Sequence, residues 1–293
     1  MRNYKIISDT SVNLPDELIE KYQLQMLPLS FIVDGVPHDS YNFEEKRFAD
    51  YKHYYNLMRE GAVIKTSCIN PGFAREFFLD MLAKEKCDIV YIGFSSGLSN
   101  SFDVVRSVAK EISDQSEYEI HCIDTRAASL GQGSIVVNAL EKKLSGATIK
   151  ELIEYVESIK LKTVHLFTVD DLIYLHRGGR VTRASYFIAK TLKIKPILHM
   201  LEDGKISGLT KMIGRKKTIY QLAVKLSETI INPEEQIIYI SHGDCYEEAI
   251  FLKEQILKFV KVKDIVINYV DIVIGSHSGP GTLAVFYHAK QRV

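Results

Sequence analysis

Short apolar runs alternate with amphipathic segments through the first half of the chain. Three runs are rich in Ile, Val and Tyr and lack polar alternation: residues 4–8, 88–94 and 119–123. Such runs are typical of strands that are buried on both faces of a parallel sheet. Apolar residues at helical spacing follow in residues 71–84 and 101–112 and begin again near Ala127. The alternation predicts an α/β domain, a parallel sheet with helices on both faces.

The pattern changes near residue 160. Just before it, Thr148 and Glu151 have the spacing of a capping box, which predicts a helix start. Beyond it, Asp203-Gly204 is a hairpin turn signal between two short apolar runs. The remaining predicted elements are strands at 164–169, 196–200, 205–210, 237–241 and 264–270, and helices at 215–228 and 246–260. We therefore expect two closely packed domains, residues 1–160 and a mixed α+β domain of residues 161–293.

Composition excludes several classes of protein. The 293 residues carry 37 basic and 37 acidic side chains, so net charge provides no argument for binding nucleic acid or an anionic membrane. The four cysteines are scattered and form no Cys-x-x-Cys pair. The N-terminus becomes polar too early for a signal peptide, and no apolar run approaches ~20 residues. We expect a cytoplasmic protein without a membrane span.

Polar clusters follow the predicted strands of the first domain. They are Ser8-Asp9-Thr10-Ser11, Ser95-Ser96-Gly97-Leu98-Ser99-Asn100-Ser101 and Asp124-Thr125-Arg126. Ligands of doubly wound sheets bind outside the carboxyl ends of the strands, which predicts a shared site. Each cluster by itself is equally typical of a helix N-cap, where Ser, Thr and Asp are favoured.

The serine cluster and the Thr66-Ser67 pair both precede predicted helices. Hydroxyl groups and free N–H groups at a helix N-terminus favour a carboxylate or phosphate. The serine cluster lacks the Lys of a nucleotide P-loop and the spacing of a dinucleotide fingerprint. It also lacks the Gly-x-Ser-x-Gly of a nucleophile elbow. An anion site is thus predicted, with a helix cap as the alternative.

Two glycine-rich segments lie in the second domain. Arg177-Gly178-Gly179-Arg180 either binds an anion through its arginines or ends a helix. Residues 275–281 surround His277 with three glycines and one proline after what we expect to be the final strand. We predict a tight loop there that positions the imidazole, with a structural role for His277 as the alternative. Because no second His lies at ligand spacing, we predict no metal.

Six segments, in order along nearly the whole chain, resemble the DegV family. The family has six patterns in this order: Ser-Asp-Ser, Thr-Ser-x-Pro, Ser-Ser-Gly-Leu-Ser-Gly-Thr, Gly-Gly-Arg, Lys-Pro and His-Thr-Gly-x-Gly. Their counterparts here, in the same order, are Ser8-Asp9-Thr10, Thr66-Ser67, residues 95–101, Gly178-Gly179-Arg180, Lys195-Pro196 and residues 277–281. Departures from the family pattern include Cys68-Ile69 in place of Gln-Pro, Asn100 in place of Gly and Ser278 in place of Thr. The hydroxyl groups that matter most for the resemblance are retained.

The resemblance implies an N-terminal EDD-type α/β domain, a C-terminal mixed domain and one long-chain fatty acid between them. It assigns the carboxylate to Thr66, Ser99 and His277. Further residues in the corresponding motifs would shape or support the polar mouth: Ser96, Gly97, Gly178, Gly179, Arg180, Arg215 and Gly279.

The resemblance also implies a role without catalysis or cofactor. The protein would present palmitate, stearate or oleate to the catalytic subunit of a fatty acid kinase, which forms the acyl-phosphate for phospholipid synthesis. The alternative is a transferase or hydrolase with a His or Ser nucleophile, because EDD-type relatives include enzymes that hold substrate covalently on a His.

Overall fold

The computed structural model describes residues 3–42, 45, 47–182 and 194–293. A parallel sheet is formed by β1 (Tyr4–Asp9), β2 (Gln25–Leu27), β8 (Asp88–Gly93) and β9 (Ile120–Asp124), in the order β2-β1-β8-β9. Five short strands lie between β2 and β8 in sequence: β3 (Ser30–Val33), β4 (Val36–Asp39), β5 (Tyr41–Asn42), β6 (Arg47–Phe48) and β7 (Lys65–Thr66).

A second, six-stranded sheet is built from the later residues. Its strands are β10 (Thr163–Thr168), β11 (Ile197–Met200), β12 (Ile206–Thr210), β13 (Ile237–His242), β14 (Asp264–Tyr269) and β15 (Leu283–His288). Their order is β12-β11-β10-β15-β13-β14, and only β13 and β14 are parallel neighbours. The change of sheet falls between Asp124 and Thr163, and the domain boundary near residue 160 stays a prediction.

The helices are α1 (Asp16–Tyr22), α2 (Tyr51–Arg59), α3 (Pro71–Glu85), α4 (Ser101–Ser113), α5 (Leu130–Leu144), α6 (Ile149–Lys160), α7 (Ile173–Arg177), α8 (Arg215–Thr229), α9 (Tyr246–Phe259) and α10 (Ile272–Ser278). The capping box at Thr148 and Glu151 is present at the start of α6. Among the described residues, no helix is both long and apolar enough to cross a membrane.

Helices cover both faces of the parallel sheet, as the alternation of patterns predicts. Helices α3 and α4 pack on one face through a cluster that includes Phe78 and Val105. On the other face, Val90 shares a buried cluster with Phe167 and Phe286 of the six-stranded sheet. Helix α5 contacts strands of both sheets. One continuous core therefore joins the two halves.

Two expectations about the C-terminal region are wrong. The last strand is β15, and it lies inside the six-stranded sheet between β10 and β13. Its fully apolar run Leu283–Tyr287 is typical of such a central position. Residues 272–278 form α10, so His277 lies in the last turn of a helix rather than in a loop.

Helix α10 forms despite an internal glycine. The carboxylate of Asp271 caps it by accepting from the N–H of Ile274 at 3.1 Å. Gly275 is needed where α10 crosses α2, because a Cβ atom there would lie 2.4 Å from the hydroxyl oxygen of Tyr55. The helix ends at Gly279, which has φ +83°.

Asp9 is a fully buried carboxylate at the end of β1. It accepts hydrogen bonds from the hydroxyl group of Tyr91 at 2.8 Å and from the N–H of Phe94 at 2.9 Å. It also accepts from the N–H of Ser11 at 3.1 Å, from the Ser11 hydroxyl and from the side-chain amide of Gln132 at 3.2 Å. These donors tie together β1, β8 and α5.

We predict that Asp9→Ala lowers the free energy of unfolding by about 3 kcal/mol or more, because several buried donors lose their acceptor. Urea unfolding followed by circular dichroism measures the change. Asp80→Ala, at an exposed position of α3, is the control and should change it by less than ~0.5 kcal/mol. Equal stabilities for the two variants would contradict this role for Asp9.

Mild acid should destabilise the fold through its buried histidines, with the raised pKa of Asp271 acting in the opposite direction. Burial lowers the pKa of His242 and His288 to about 4, and it also lowers the pKa of His165. Below the unfolded-state pKa of ~6.5, the unfolded chain binds protons that these native histidines do not bind. The free energy of unfolding should therefore fall from pH 6.5 towards pH 5, by up to ~1.4 kcal/mol per pH unit for each histidine.

Urea unfolding at pH 7, 6 and 5 measures this dependence. The slope of the free energy of unfolding against pH should be smaller in His242→Gln, because the unfolded chain then binds about one proton fewer relative to the native state. A free energy of unfolding that is constant from pH 7 to pH 5 would contradict the prediction.

Candidate functional site

An apolar cavity lies between the parallel sheet and the six-stranded sheet. It contains about 950 Å³ of space not occupied by protein atoms, a figure that includes solvent at its opening. Its apolar lining comes from both halves of the chain: Leu29, Phe94, Leu98, Phe167, Leu175, Met200, Ile206, Val273, Ile274, Ala284 and Phe286. No pattern in the sequence distinguishes these residues from ordinary core residues.

Polar groups gather where this cavity meets a second, outer pocket. Five residues line both spaces: Thr66, Ser67, Ser99, Arg180 and His277. The outer pocket also carries two basic side chains, Lys65 and Arg177. The polar groups therefore form the boundary between an apolar interior and a basic mouth.

Thr66, His277 and Arg180 form a chain of contacts. The Thr66 hydroxyl oxygen lies 2.8 Å from Nε2 of His277, and a guanidinium nitrogen of Arg180 lies 3.4 Å from Nδ1. Thr66 is held in place by β7, which pairs with Phe31 and Ile32 of β3. Arg180 is held by the carbonyl oxygen of Leu98, to which its Nε and a terminal nitrogen donate at 3.1 and 2.9 Å.

The contacts define the tautomer of His277. Burial lowers its pKa to about 4, and the positive charge of Arg180 contributes to this effect, so the ring is neutral at pH 7. Because a guanidinium nitrogen can only donate, its 3.4 Å contact favours the tautomer in which Nδ1 of His277 accepts and Nε2 carries the proton. Nε2–H then donates to the oxygen of Thr66. The hydroxyl proton of Thr66 is left free to donate to a ligand.

Ser99 lies in the turn before α4. Its hydroxyl oxygen accepts from the N–H of Ser101 at 3.2 Å and lies 3.0 Å from the Ser101 hydroxyl oxygen. The Ser101 hydroxyl in turn accepts from the N–H of Ile69 at 3.3 Å. Since Ile69 follows Thr66 by three residues, these bonds hold the Ser99 turn against the Thr66 segment. Ser99 and Ser101 thus form hydrogen bonds at the start of α4, as the helix-cap alternative expects, and they also line the cavity, where an anion site is predicted.

The glycines of the predicted site make room for its side chains. A Cβ atom on Gly178 would lie 2.3 Å from Nδ1 of His277, and one on Gly279 would lie 2.3 Å from the ring of Tyr174. Gly97 is in close contact with the backbone of Asp203 and Gly204 in the hairpin between β11 and β12. Gly179 has φ +74°, and a Cβ atom there would meet no neighbour within 4 Å.

Ser96 and Arg215 lie outside this cavity. The Ser96 hydroxyl donates to Asp124 at 2.6 Å. The guanidinium of Arg215 donates to Glu248 at 3.0 Å and to the carbonyl oxygen of Gly281. Their roles in the predicted site stay predictions. Among the described residues, no group of three or more His, Cys, Asp and Glu side chains could hold a metal ion.

The polar clusters at the ends of β1, β8 and β9 bond mainly to one another. Asp9 accepts from the N–H of Phe94, and Asp124 accepts from Ser96, so the three clusters are adjacent. Of their polar members, Ser11, Ser99 and Ser101 line the cavity. Fewer residues are therefore available for the predicted shared site than the motifs indicate, because most of their hydroxyl groups form hydrogen bonds between the loops.

Known proteins resemble this chain over almost its entire length. The model of the DegV family of uncharacterised proteins matches residues 3–290. A DegV domain-containing protein of Clostridium perfringens is 38% identical over 289 residues, which are 98% of each chain.

Solved structures share the fold. DegV of Bacillus subtilis, a fatty acid binding protein, is 26% identical with a TM-score of 0.85, and the match covers 99% of this chain and 100% of the other. A Thermotoga maritima protein described as revealing a fatty acid binding function is 27% identical with a TM-score of 0.82 and the same coverage. The chain belongs to the DegV family.

Proposed function

We propose that this protein binds one long-chain fatty acid, with the acyl chain in the apolar cavity and the carboxylate at Thr66, Ser99 and His277. The protein is a carrier that presents the carboxylate to a partner fatty acid kinase. The observation that carries the proposal is an apolar cavity that ends at uncharged donors beside an open, basic mouth.

Burial of the acyl chain supplies the affinity. Each methylene removed from water contributes ~0.8 kcal/mol, so about 15 methylenes contribute roughly 12 kcal/mol at most. Loss of translational, rotational and chain freedom offsets a large part of this gain. A net affinity in the micromolar range or tighter is consistent with these magnitudes.

The carboxylate must be paired once it leaves water, since an unpaired buried charge costs several kcal/mol. Thr66 has a free hydroxyl proton because its oxygen already accepts from His277. The Ser99 hydroxyl lies at the same boundary and donates to the Ser101 hydroxyl oxygen at 3.0 Å, so it would turn from Ser101 to the carboxylate when the ligand binds. Two charge-assisted hydrogen bonds would therefore satisfy the ligand carboxylate.

The relatives support this ligand class. Two DegV structures more than 25% identical to this chain, from Bacillus subtilis and Thermotoga maritima, are described as fatty acid binding. Both match almost the whole chain, so the cavity region is included in each comparison.

The contacts of His277 favour a carrier over an enzyme. A nucleophilic imidazole needs a nitrogen with a free lone pair. Here Nδ1 faces a donor of Arg180, and Nε2 carries its proton towards Thr66. The lone pair of Nδ1 is thus engaged, and within the described part of the chain no base contacts Nε2–H to remove its proton.

Presentation to a kinase follows from the position of the carboxylate. The outer pocket shares Thr66, Ser99 and His277 with the apolar cavity, so a carboxylate held there borders the mouth. Lys65 and Arg177 in this mouth suit a phosphoryl group or the acidic surface of a partner.

We expect the Thr66→Val and Ser99→Ala variants each to weaken oleate binding by about 10- to 100-fold, because each loses a hydrogen bond to a charged group. Isothermal titration calorimetry on delipidated protein measures the affinity. Ser107→Ala, at an exposed position of α4, is the matched control and should bind like the wild type. A wild-type protein that carries no fatty acid in denaturing mass spectrometry and takes up no oleate would refute the proposal.

The role in acyl-phosphate formation is testable with the loaded protein. Incubation with ATP and a recombinant fatty acid kinase catalytic subunit should convert bound oleate to oleoyl-phosphate, which hydroxylamine traps as a hydroxamate. The loaded protein with ATP alone should give none, because its phosphoryl transfer is assigned to the kinase. Product formed without kinase would contradict the carrier role.

A further inference from the structure

A buried polar network lies at the start of α10, two helical turns from His277. Asn13 and Asp271 are both fully buried, and the N–H of Asp271 donates to Oδ1 of Asn13 at 3.3 Å. The same oxygen accepts from the hydroxyl group of Ser129 at 2.6 Å. Asn268 donates to the carbonyl oxygen of Asn13 at 2.9 Å. Asn13 therefore connects the end of β1 with α5, β14 and α10.

Asn13 has the backbone conformation that this position needs. Its φ is +51°, in the left-handed region that Asn tolerates better than most residues. Ser129 at the start of α5 also bonds to Ser241 of β13, with 2.8 Å between the two hydroxyl oxygens. The network thus joins both sheets at the point where α10 begins.

Helix α10 is short and is held at this end. Seven residues have little helical stability of their own, so the position of the helix depends on its contacts. The carboxylate of Asp271 accepts from Ile274, and the Tyr55 hydroxyl donates to the carbonyl oxygen of Val270 at 2.9 Å. These bonds set where the helix starts and in which direction it points.

A small tilt of α10 at its Asp271 cap would displace His277 by a large distance. His277 follows Asp271 by six residues, which corresponds to about 9 Å along a helix. A tilt of roughly 10° about the cap would displace His277 by about 1.6 Å. Such a displacement would break its 2.8 Å contact with Thr66.

We propose that Asn13 and Asp271 are positioning residues for the carboxylate site, because they hold α10 so that His277 meets Thr66. The inference rests on the proposed function and adds two residues to it. Neither residue contacts the carboxylate donors directly; each acts through the position of His277.

A double-mutant cycle with His277 tests the proposal by oleate calorimetry. His277→Ala should weaken oleate binding about tenfold, and Asp271→Ala should weaken it by about 5- to 30-fold. The double variant should have about the same oleate affinity as whichever single variant binds oleate less tightly, because both changes remove the contact between His277 and Thr66. Multiplicative effects of the two changes, or an Asp271→Ala variant with wild-type affinity, would overturn the proposal.

Conservative variants separate positioning from general destabilisation. Asp271→Asn keeps an oxygen that can cap α10, so its affinity should stay within about threefold of wild type. It should also fold, since burial raises the pKa of Asp271 to about 7 and a neutral side chain is tolerated there. Asn13→Gly accepts the positive φ and should reproduce the loss seen with Asp271→Ala, including in the cycle with His277. An Asn13→Gly loss that multiplies with that of His277→Ala would contradict the proposal.

Thr148→Ala is the matched control, because Thr148 caps α6 with its side chain in the same way but lies on another helix. It should lower stability by about as much as a lost cap does, without changing oleate affinity. A loss of affinity equal to that of Asp271→Ala would show a general effect of stability and overturn the inference. Absence of oleate binding in the wild type would instead refute the proposed function itself.

A spectroscopic measurement gives an independent readout. In ¹⁵N-imidazole spectra, the wild-type His277 should show a protonated Nε2 and an accepting Nδ1. Asp271→Ala should shift these signals, whereas Thr148→Ala should leave them unchanged. Unchanged His277 signals in Asp271→Ala would contradict the positioning role.

Discussion

A carboxylate that is buried without a cation must be surrounded by hydrogen-bond donors, and Asp9 imposes this constraint on the centre of the molecule. Its donors come from β8, α5 and the turn after β1, so these elements cannot separate without leaving a buried charge unpaired. Phe94, which donates to Asp9, also directs its side chain to the apolar cavity. The wall of the cavity is therefore placed by the same carboxylate that joins the sheet to its helix.

The same requirement applies to the proposed ligand. In the proposed function, a fatty acid brings its own carboxylate into the protein, and the hydroxyl groups of Thr66 and Ser99 pair with it. Arg180 lines the same boundary, but its guanidinium donates to the carbonyl oxygen of Leu98 and faces His277. Neutral donors hold a carboxylate with less electrostatic energy than a direct ion pair, which suits the proposed release of the ligand at a partner.

The motifs identified in the sequence include segments that meet in the structure, but they indicate only part of the geometry. Thr66, Arg180 and His277 are brought into contact, as a shared site requires. Ser96 and Arg215 carry the same chemical groups but have other partners, Asp124 and Glu248. Residue type indicates which groups can bind an anion, whereas the side chain's nearest partner decides whether it is available to do so.

The sequence alone determined the elements whose signals lie within a few neighbouring residues. The apolar runs of β1 and β8 and the capping box of α6 depend on neighbouring residues, so they could be identified from the chain alone. The helix that carries His277 could not be identified in this way, because its cap at Asp271 and its crossing at Gly275 depend on Asn13 and Tyr55, more than 200 residues away. The cavity lining was decided only by tertiary structure, since an apolar side chain that faces a ligand and one that faces the core have the same pattern in sequence.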